Sequence, residues 1–508
     1  MSELSEKIST IGRVATARDV AEGLRGLAES KLSGLVLGFL LKKDKHKRTY
    51  LEYLLSMYRG EKIRSPPILR LIYPLFRAYM DKILRNFKVD KDEFLGILEP
   101  PYAKKIIASL LKGFKNFGVR VPFTSGAPIL VVWDFTYRCN LRCKHCYASA
   151  GVTLPEMSVE ERLKALDILV DSGVAMLALS GGEPLLGPGF WEVLKRGSEY
   201  GLYLAMATNG TLITDEVAEK LAKNGLIYAQ VSLDSPYPEF HDEFRGVKGA
   251  WERAVRGIKN LKKYGITVEV SMTITKKNYK TIPKMLEFAK NIGADLVMGF
   301  NFIPTGRGRS IVEWDLSPDE RWEALRWLSE SLYSGFPAAS TAPQYAVVAF
   351  EYGIEKGYTP YIAGHFYTIS LRSDRFGSML EFLGGCGAGR VYLALEPNGD
   401  IYPCVFLRKK IGNILEDDFE TLWRTNRFLE ELRNRDLLKG ECRECKYKYV
   451  CGGCRARAYN YFGDHLAPDP GCIYAKSSWE RILQKTLPEK SPPIAIRRFP
   501  KKSSKVFV

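Results

Sequence analysis

Ile129-Leu-Val-Val-Trp-Asp-Phe135 runs through Thr-Tyr-Arg into Cys139-Asn-Leu-Arg-Cys143-Lys-His-Cys146. An apolar run of this length, ended by turn chemistry, reads as a buried strand. It delivers three thiols within eight residues to a loop at the strand's C-terminal end. In parallel sheets active sites gather at that end. Three thiolates at this spacing can grip three corners of a cubane [4Fe–4S] cluster and leave the fourth iron open. The blander alternative is a zinc knuckle or buried free thiols. Zinc prefers paired Cys-x-x-Cys or Cys/His spacing and four ligands, whereas this loop offers three thiols.

Outward from this loop, short apolar runs alternate with helix-length amphipathic runs. Strands are expected at 129–135, 174–180, 202–207, 227–233, 267–274 and 296–303. Helices are expected between them, for example at 159–172, 215–224 and 250–264. Repeated strand–helix units imply a parallel sheet with crossover helices. Six units suit a partial barrel better than a closed eightfold one, so the expected fold class is α/β. Residues 310–380 are mixed in pattern and read as a helical connection.

The Cys-x-x-x-Cys-x-aromatic-Cys pattern, with His145 in the aromatic slot, resembles the signature of radical S-adenosylmethionine enzymes. Further motifs follow in order at strand ends. Gly181-Gly182-Glu183-Pro184 follows the second strand, like the family's methionine-amino-binding motif. Thr208-Asn209-Gly210 follows the third, and Ser232-Leu-Asp234 ends the fourth. The resemblance covers about residues 128–310. It implies a partial (β/α)6 barrel and reductive cleavage of S-adenosylmethionine to a 5′-deoxyadenosyl radical that takes a substrate hydrogen. His145, Gly181, Gly182, Glu183, Pro184, Thr208, Asn209, Ser232 and Asp234 are the implied cofactor-binding positions. An external one-electron donor of ferredoxin or flavodoxin type is implied as partner. No acid–base residue is assigned; Asp234, Glu183 and Tyr147 lie near the mouth by strand position, and each also has a structural reading.

Seven more cysteines follow: Cys386, Cys404, Cys442, Cys445, Cys451, Cys454 and Cys472. Alone, the Cys442-x2-Cys445-x5-Cys451-x2-Cys454 block could be a zinc ribbon. After a radical-type barrel it resembles the SPASM extension, which houses two auxiliary iron–sulfur clusters. Ile401-Tyr-Pro-Cys404 and Ile411-Gly-Asn413 match its hairpin and downstream pieces. The resemblance gives Cys442, Cys445, Cys451 and Cys472 to one cluster. It gives Cys386, Cys404 and Cys454 to the other, one thiolate short, since residues 378–385 contain no cysteine. The implied cofactors are three [4Fe–4S] clusters and S-adenosylmethionine. The run Cys451-Gly-Gly-Cys454-Arg-Ala-Arg-Ala-Tyr459 looks like that of members acting on tetrapyrroles. Arg455 and Arg457 could equally serve to balance anionic clusters.

Charge divides the chain differently. The net +17 is concentrated at the ends. Residues 1–120 hold 24 Lys/Arg against 13 Asp/Glu, a net of +11, and residues 488–508 hold 6 against 1. The middle is near neutral. Residues 67–88 and 102–117 read as amphipathic helices. In the second, Lys104, Lys105, Lys112 and Lys115 share one side, and Ile106, Ile107, Leu110, Leu111, Phe114 and Phe117 the other. Packing on the barrel with solvated lysines is one reading. The other is attachment to an anionic membrane, because a short apolar run at 33–41 adjoins the basic cluster 42–48. No stacking platform for nucleic acid is recognisable.

The expected organisation is a helical basic region (1–120), the barrel (121–310), a helical connection (311–383), the Cys-rich domain (384–487) and a basic disordered tail (488–508). Composition is globular, at 46% hydrophobic and 26% charged residues. No stretch approaches the ~18 apolar residues of a membrane span, and the first residues lack a signal-peptide layout. A cytoplasmic enzyme is expected, peripheral on the inner membrane face. Only three Gln occur, a bias typical of hyperthermophile chains. Three function classes compete. A radical enzyme acting on a hydrophobic, membrane-derived substrate such as a lipid comes first on the N-terminal region. One acting on a tetrapyrrole or a ribosomal peptide comes second, although no β-rich segment before 128 could form a peptide-binding domain. A non-enzymatic iron–sulfur or zinc protein comes third, since it has no use for Gly181–Pro184.

Overall fold

Local signals set the strand–helix alternation that carries the loop. Ser158 and Glu161 cap the helix Val159–Ser172 reciprocally, and Gly173 ends it at φ 100°, in the left-handed region. That stop turns the chain straight into the strand Met176–Ser180. The computed structural model describes residues 31–484 apart from 88, 358–360, 365–366, 371–381 and 383. The expected tail at 488–508 lies outside the described residues, as do residues 1–30.

The strands are β1 (Leu130–Asp134), β2 (Met176–Ser180), β3 (Tyr203–Thr208), β4 (Tyr228–Ser232), β5 (Thr267–Ile274), β6 (Leu296–Asn301) and β7 (Ala338–Ser340). A small hairpin, β8 (Tyr361–Gly364) and β9 (Tyr367–Ser370), stands apart, and β10 (Tyr392–Leu395), β11 (Asp400–Tyr402) and β12 (Gly412–Asn413) follow. The main sheet runs β12-β11-β10-β1-β2-β3-β4-β5-β6-β7. Neighbours from β10 to β7 pair in parallel, with Val132 opposite Ala178 and Gln230 opposite Glu269. The end strands β12 and β7 do not pair, so the barrel is open. Helices cover the outside of β1–β6, and their apolar faces meet the outward-facing strand residues in one core around Val131, Leu177, Leu204, Val231 and Val268.

Two additions to the six-unit expectation matter. The 310–380 connection contains helices at Pro318–Tyr333 and Tyr345–Lys356, and it also supplies β7 and the β8–β9 hairpin. The Cys-rich segment enters the sheet itself, through β10 beside β1.

Before β1 lie helices α1 (Lys31–Leu40), α2 (Tyr50–Arg59), α3 (Pro67–Phe87), α4 (Lys91–Ile97) and α5 (Pro101–Phe117). They share a small core around Leu51, Leu55, Leu84 and Leu98. Apart from Lys115, the lysine side of α5 does not face solvent as its polarity suggests. Lys104 and Lys105 are buried, paired with Glu61 at 2.5 Å and Glu52 at 3.1 Å. Lys112 reaches the Ser172 carbonyl at 3.1 Å and Glu420 at 2.8 Å. In the cluster 42–48, Lys43 donates to the Val170 and Asp171 carbonyls, and Lys47 pairs with Asp171 at 2.7 Å. Lys43, Lys47 and Lys112 thus tie this region to the rest of the chain, while Lys104 and Lys105 are neutralised within it. Among the described residues no helix is long and apolar enough to cross a membrane.

Candidate functional site

Side chains alternate along a strand, so one set from each of β1–β6 points into the barrel. Those inward sets, together with the Cys loop, line a cavity of about 520 Å³. Its β1–β2 wall is apolar, from Leu130, Val132, Met176 and Ala178, while β4–β5 supply Tyr228, Gln230, Ser232, Glu269 and Ser271. Cys139, Cys143 and Cys146 stand together at its mouth. Burial pushes the Cys139 thiol up to about 12. A thiol of this kind stays protonated at neutral pH unless a metal centre takes the proton's place.

The loop after β2 explains its glycines. Gly182 N–H donates to the Thr136 carbonyl and Glu183 N–H to the Arg138 carbonyl, both at 2.8 Å. A Cβ on Gly182 would come within 2.0 Å of the Arg138 oxygen. Only glycine lets the two loops touch. Gly181, Gly182, Thr208, Asn209, Ser232 and His145 line the cavity. The His145 ring stacks on Phe244 at 4.1 Å, and burial drives its pKa down to about 3, which keeps it neutral.

Glu183, Pro184 and Asp234 are not among the lining residues. They are fully buried or nearly so and act behind the wall. The Glu183 carboxylate accepts from Thr208 Oγ1 at 2.8 Å and from Asn209 N–H at 3.0 Å, fixing the β3 turn; burial raises its pKa to about 7. Asp234 accepts from Arg245 Nε at 2.6 Å and Thr273 N–H at 2.9 Å. Burial works to raise its pKa, but Arg245 above all holds it at about 2. Asp234 thereby aims Arg245 at Cys143, with Nη1 3.8 Å from Sγ.

Arg245 and Arg307 are lining residues that sequence reasoning missed. Arg307 Nε donates to the Cys143 carbonyl at 3.0 Å, and Gly306, at φ 56°, lets its segment cross the backbone of Cys146 and Tyr147. Tyr147 donates to Asp134 Oδ1 at 2.7 Å on the cavity wall. Burial, and then Glu396, push Asp134 up.

The seven later cysteines fall into two sets. Cys386, Cys404 and Cys454 line one small cavity of about 60 Å³. Ile303, Tyr392 and Phe406 line this cavity and the barrel cavity alike, so single side chains separate them. Cys442, Cys445, Cys451 and Cys472 lie near one another and line neither cavity. Their surroundings suit anionic sulfur. Arg455 Nη2 is 3.7 Å from Cys442 Sγ, and Gly453 N–H and Asp469 N–H donate to Cys451 and Cys442 sulfurs at 3.3 and 3.4 Å. Arg435, fully buried beside Cys386, Cys442 and Cys451, has an unpartnered Nε. These donors fit iron–sulfur centres, whose potentials respond to such hydrogen bonds and charges.

Comparison with known proteins agrees. Residues 133–289 match the radical SAM superfamily, and residues 386–446 match an iron-sulfur cluster-binding domain, SPASM. An AdoMet-dependent heme synthase of Methanosarcina barkeri is 36% identical over 354 residues, 69% of this chain and 97% of that one. Mycofactocin maturase MftC of Mycobacterium tuberculosis is 32% identical over 373 residues, 71% of this chain and 87% of that one. Among solved structures, Streptococcus suis SuiB bound to precursor peptide SuiA has a TM-score of 0.59 at 18% identity, covering 84% of this chain and 93% of that one. That last likeness is one of fold. About a third of this chain has no counterpart in the heme synthase.

Proposed function

The chain belongs to the radical S-adenosylmethionine enzymes and carries a SPASM iron–sulfur domain, and from that premise we propose that it modifies a tetrapyrrole by oxidative removal of a side-chain carboxylate. The observation that supports this most is the 36% identity to a heme synthase spanned over 97% of its length. Relatives at 32% identity include an Fe-coproporphyrin III synthase and a pre-heme d1 synthase. The lipid reading, placed first on the N-terminal region, has no such support, and the tetrapyrrole alternative replaces it.

Three [4Fe–4S] clusters are assigned: one to Cys139, Cys143 and Cys146, one to Cys386, Cys404 and Cys454, and one to Cys442, Cys445, Cys451 and Cys472. When bound, the first cluster and S-adenosylmethionine supply a 5′-deoxyadenosyl radical able to take hydrogen from an unactivated carbon. This chain's residues orient and enclose. Gly181 and Gly182 form a lip against the Cys loop, and Thr208, Asn209 and Ser232 offer polar contacts across the mouth. Asp234 holds Arg245 against Cys143, countering thiolate charge. The apolar β1–β2 wall excludes water from a reactive intermediate. Loss of a hydrogen atom and CO2 leaves one electron over. The shared side chains Ile303, Tyr392 and Phe406 make the path towards Cys386, Cys404 and Cys454 short.

The test is anaerobic turnover with S-adenosylmethionine, reductant and an iron porphyrin bearing propionates. We expect 5′-deoxyadenosine release that depends on the porphyrin, and a product lighter by one formic-acid equivalent per side chain. Release stimulated by a peptide or lipid extract but not by the porphyrin overturns the substrate assignment.

A further inference from the structure

One face of the N-terminal helices has no use inside the molecule. The helix α3 carries apolar residues on two sides. Leu69, Tyr73, Phe76 and Leu84 turn into the cores around Leu51, Leu54 and Leu55. On the opposite side Ile68, Leu71, Leu75 and Tyr79, spaced three and four apart, stand in solvent; Leu71 is 78% exposed and Leu75 76%. Residues at that spacing form one stripe along a helix. Lys82 falls within the stripe, and Arg85 and Arg70 flank it, all exposed. The helix's one acid, Asp81, is taken by Lys91 and Arg77, while Arg70, Lys82 and Arg85 have no acidic partner among the described residues. On α1, Leu35 and Val36 are also exposed, and Lys42, Lys45 and Arg48 are exposed just beyond it.

Apolar stripes of this size are uncommon on a free surface. A stripe edged by uncompensated cations is the pattern of a helix lying in the plane of an anionic bilayer. We propose that α3, aided by α1, docks this chain on an anionic phospholipid surface. Charge decides the occupant. A second copy would bring the same unpaired cations against each other, whereas acidic headgroups meet them with opposite sign. The inference is independent of the substrate assigned above, and it is narrower than the amphipathicity of residues 1–120 suggests. Lys104, Lys105 and Lys112 of α5 are spent on partners inside the molecule while Lys115 stays exposed, and Phe76 is half-buried in the helical core.

The test uses the full chain with its clusters, in flotation with phosphatidylcholine vesicles and with vesicles containing phosphatidylglycerol, at low and high salt. We expect at least tenfold more protein to float with the anionic vesicles at low salt. Leu71→Glu with Leu75→Glu should lower that binding at least tenfold at both salts. Lys82→Glu with Arg85→Glu should lower it at low salt and much less at high salt, where charge is screened. Circular dichroism and unchanged 5′-deoxyadenosine formation show that each variant is folded. Absent flotation of the full chain, or equal flotation of the Leu71/Leu75 variant, overturns the proposal. So does a dimer in solution that the same variant dissociates, because a second copy then covers the face.

Discussion

At Gly182 a single methyl group would collide with the Arg138 carbonyl at 2.0 Å. Both loops are anchored to strand ends, so the collision can be relieved only by moving the Cys loop and the β2 loop apart. Gly182→Ala should therefore cost ~1–3 kcal/mol in strain and weaken S-adenosylmethionine binding at least tenfold, as read by equilibrium binding to the reconstituted protein. Unchanged affinity would remove the loop contact from the account. Glu269 stands on the cavity wall, outside the Cys loop and the glycine motif. It is buried on β5, accepts from Tyr228 and Gln230, and burial raises its pKa from 4.5 to about 7. Because its folded value is raised, the carboxyl binds protons more tightly in the fold than in the unfolded chain. The fold then loses stability as pH rises from about 4.5 to 7, and beyond that the loss is constant. Glu269→Gln carries no such titration. Its stability relative to the parent should improve across that window by up to about 3 kcal/mol. Denaturant melts at pH 5 and pH 8 check this, and a pH-independent difference contradicts it. Residues of the Cys loop were legible because their chemistry is local in sequence. Arg245 and Arg307 were not, since only the fold brings them to Cys143 from about a hundred residues and more away.

Elements announced themselves where periodicity and caps agreed. The helix Val159–Ser172 and strand β5 occupy the residues expected, because a capping box marks the start of the one and the other is rich in β-branched residues, Thr267, Val268, Val270, Thr273 and Ile274. The strand β7 has three small residues, Ala338–Ser340, and no period to read. Its identity comes from pairing with β6. In the same way, nothing local in Tyr392–Leu395 says that it lies beside β1. For α5 the period revealed two faces but not which one points inward. The answer depends on Glu52 and Glu61, carried by α2 and the segment after it, which accept the buried lysines. Removing one partner of a buried pair strands the other's charge. Lys105→Ala should cost about 3 kcal/mol. Leu71→Ala, at a site 78% exposed, should change stability by under ~0.5 kcal/mol. Thermal melts that reverse this order would refute the inward placement of α5.

Across the whole molecule the design is two cavities in contact, each with a thiol set, and a third thiol set beyond. The barrel cavity meets three thiols at its mouth, and the smaller cavity holds three more without a fourth cysteine. The Cys386, Cys404 and Cys454 site should accordingly answer to added small ligands such as cyanide or azide, seen as a change in its electron paramagnetic resonance signal. The Cys442, Cys445, Cys451 and Cys472 site should not respond. A spectrum indifferent to every added ligand would mean that a protein group closes the first site. The central claim is that the chain holds one radical-generating centre and two auxiliary ones, and iron counting tests it most directly. After anaerobic reconstitution the chain should bind about twelve irons, the content of three cubanes. Replacing Cys139, Cys143 and Cys146 together with Ala should leave about eight and abolish 5′-deoxyadenosine formation. About four irons in the parent chain, or stoichiometric zinc in place of the auxiliary iron, would contradict the claim.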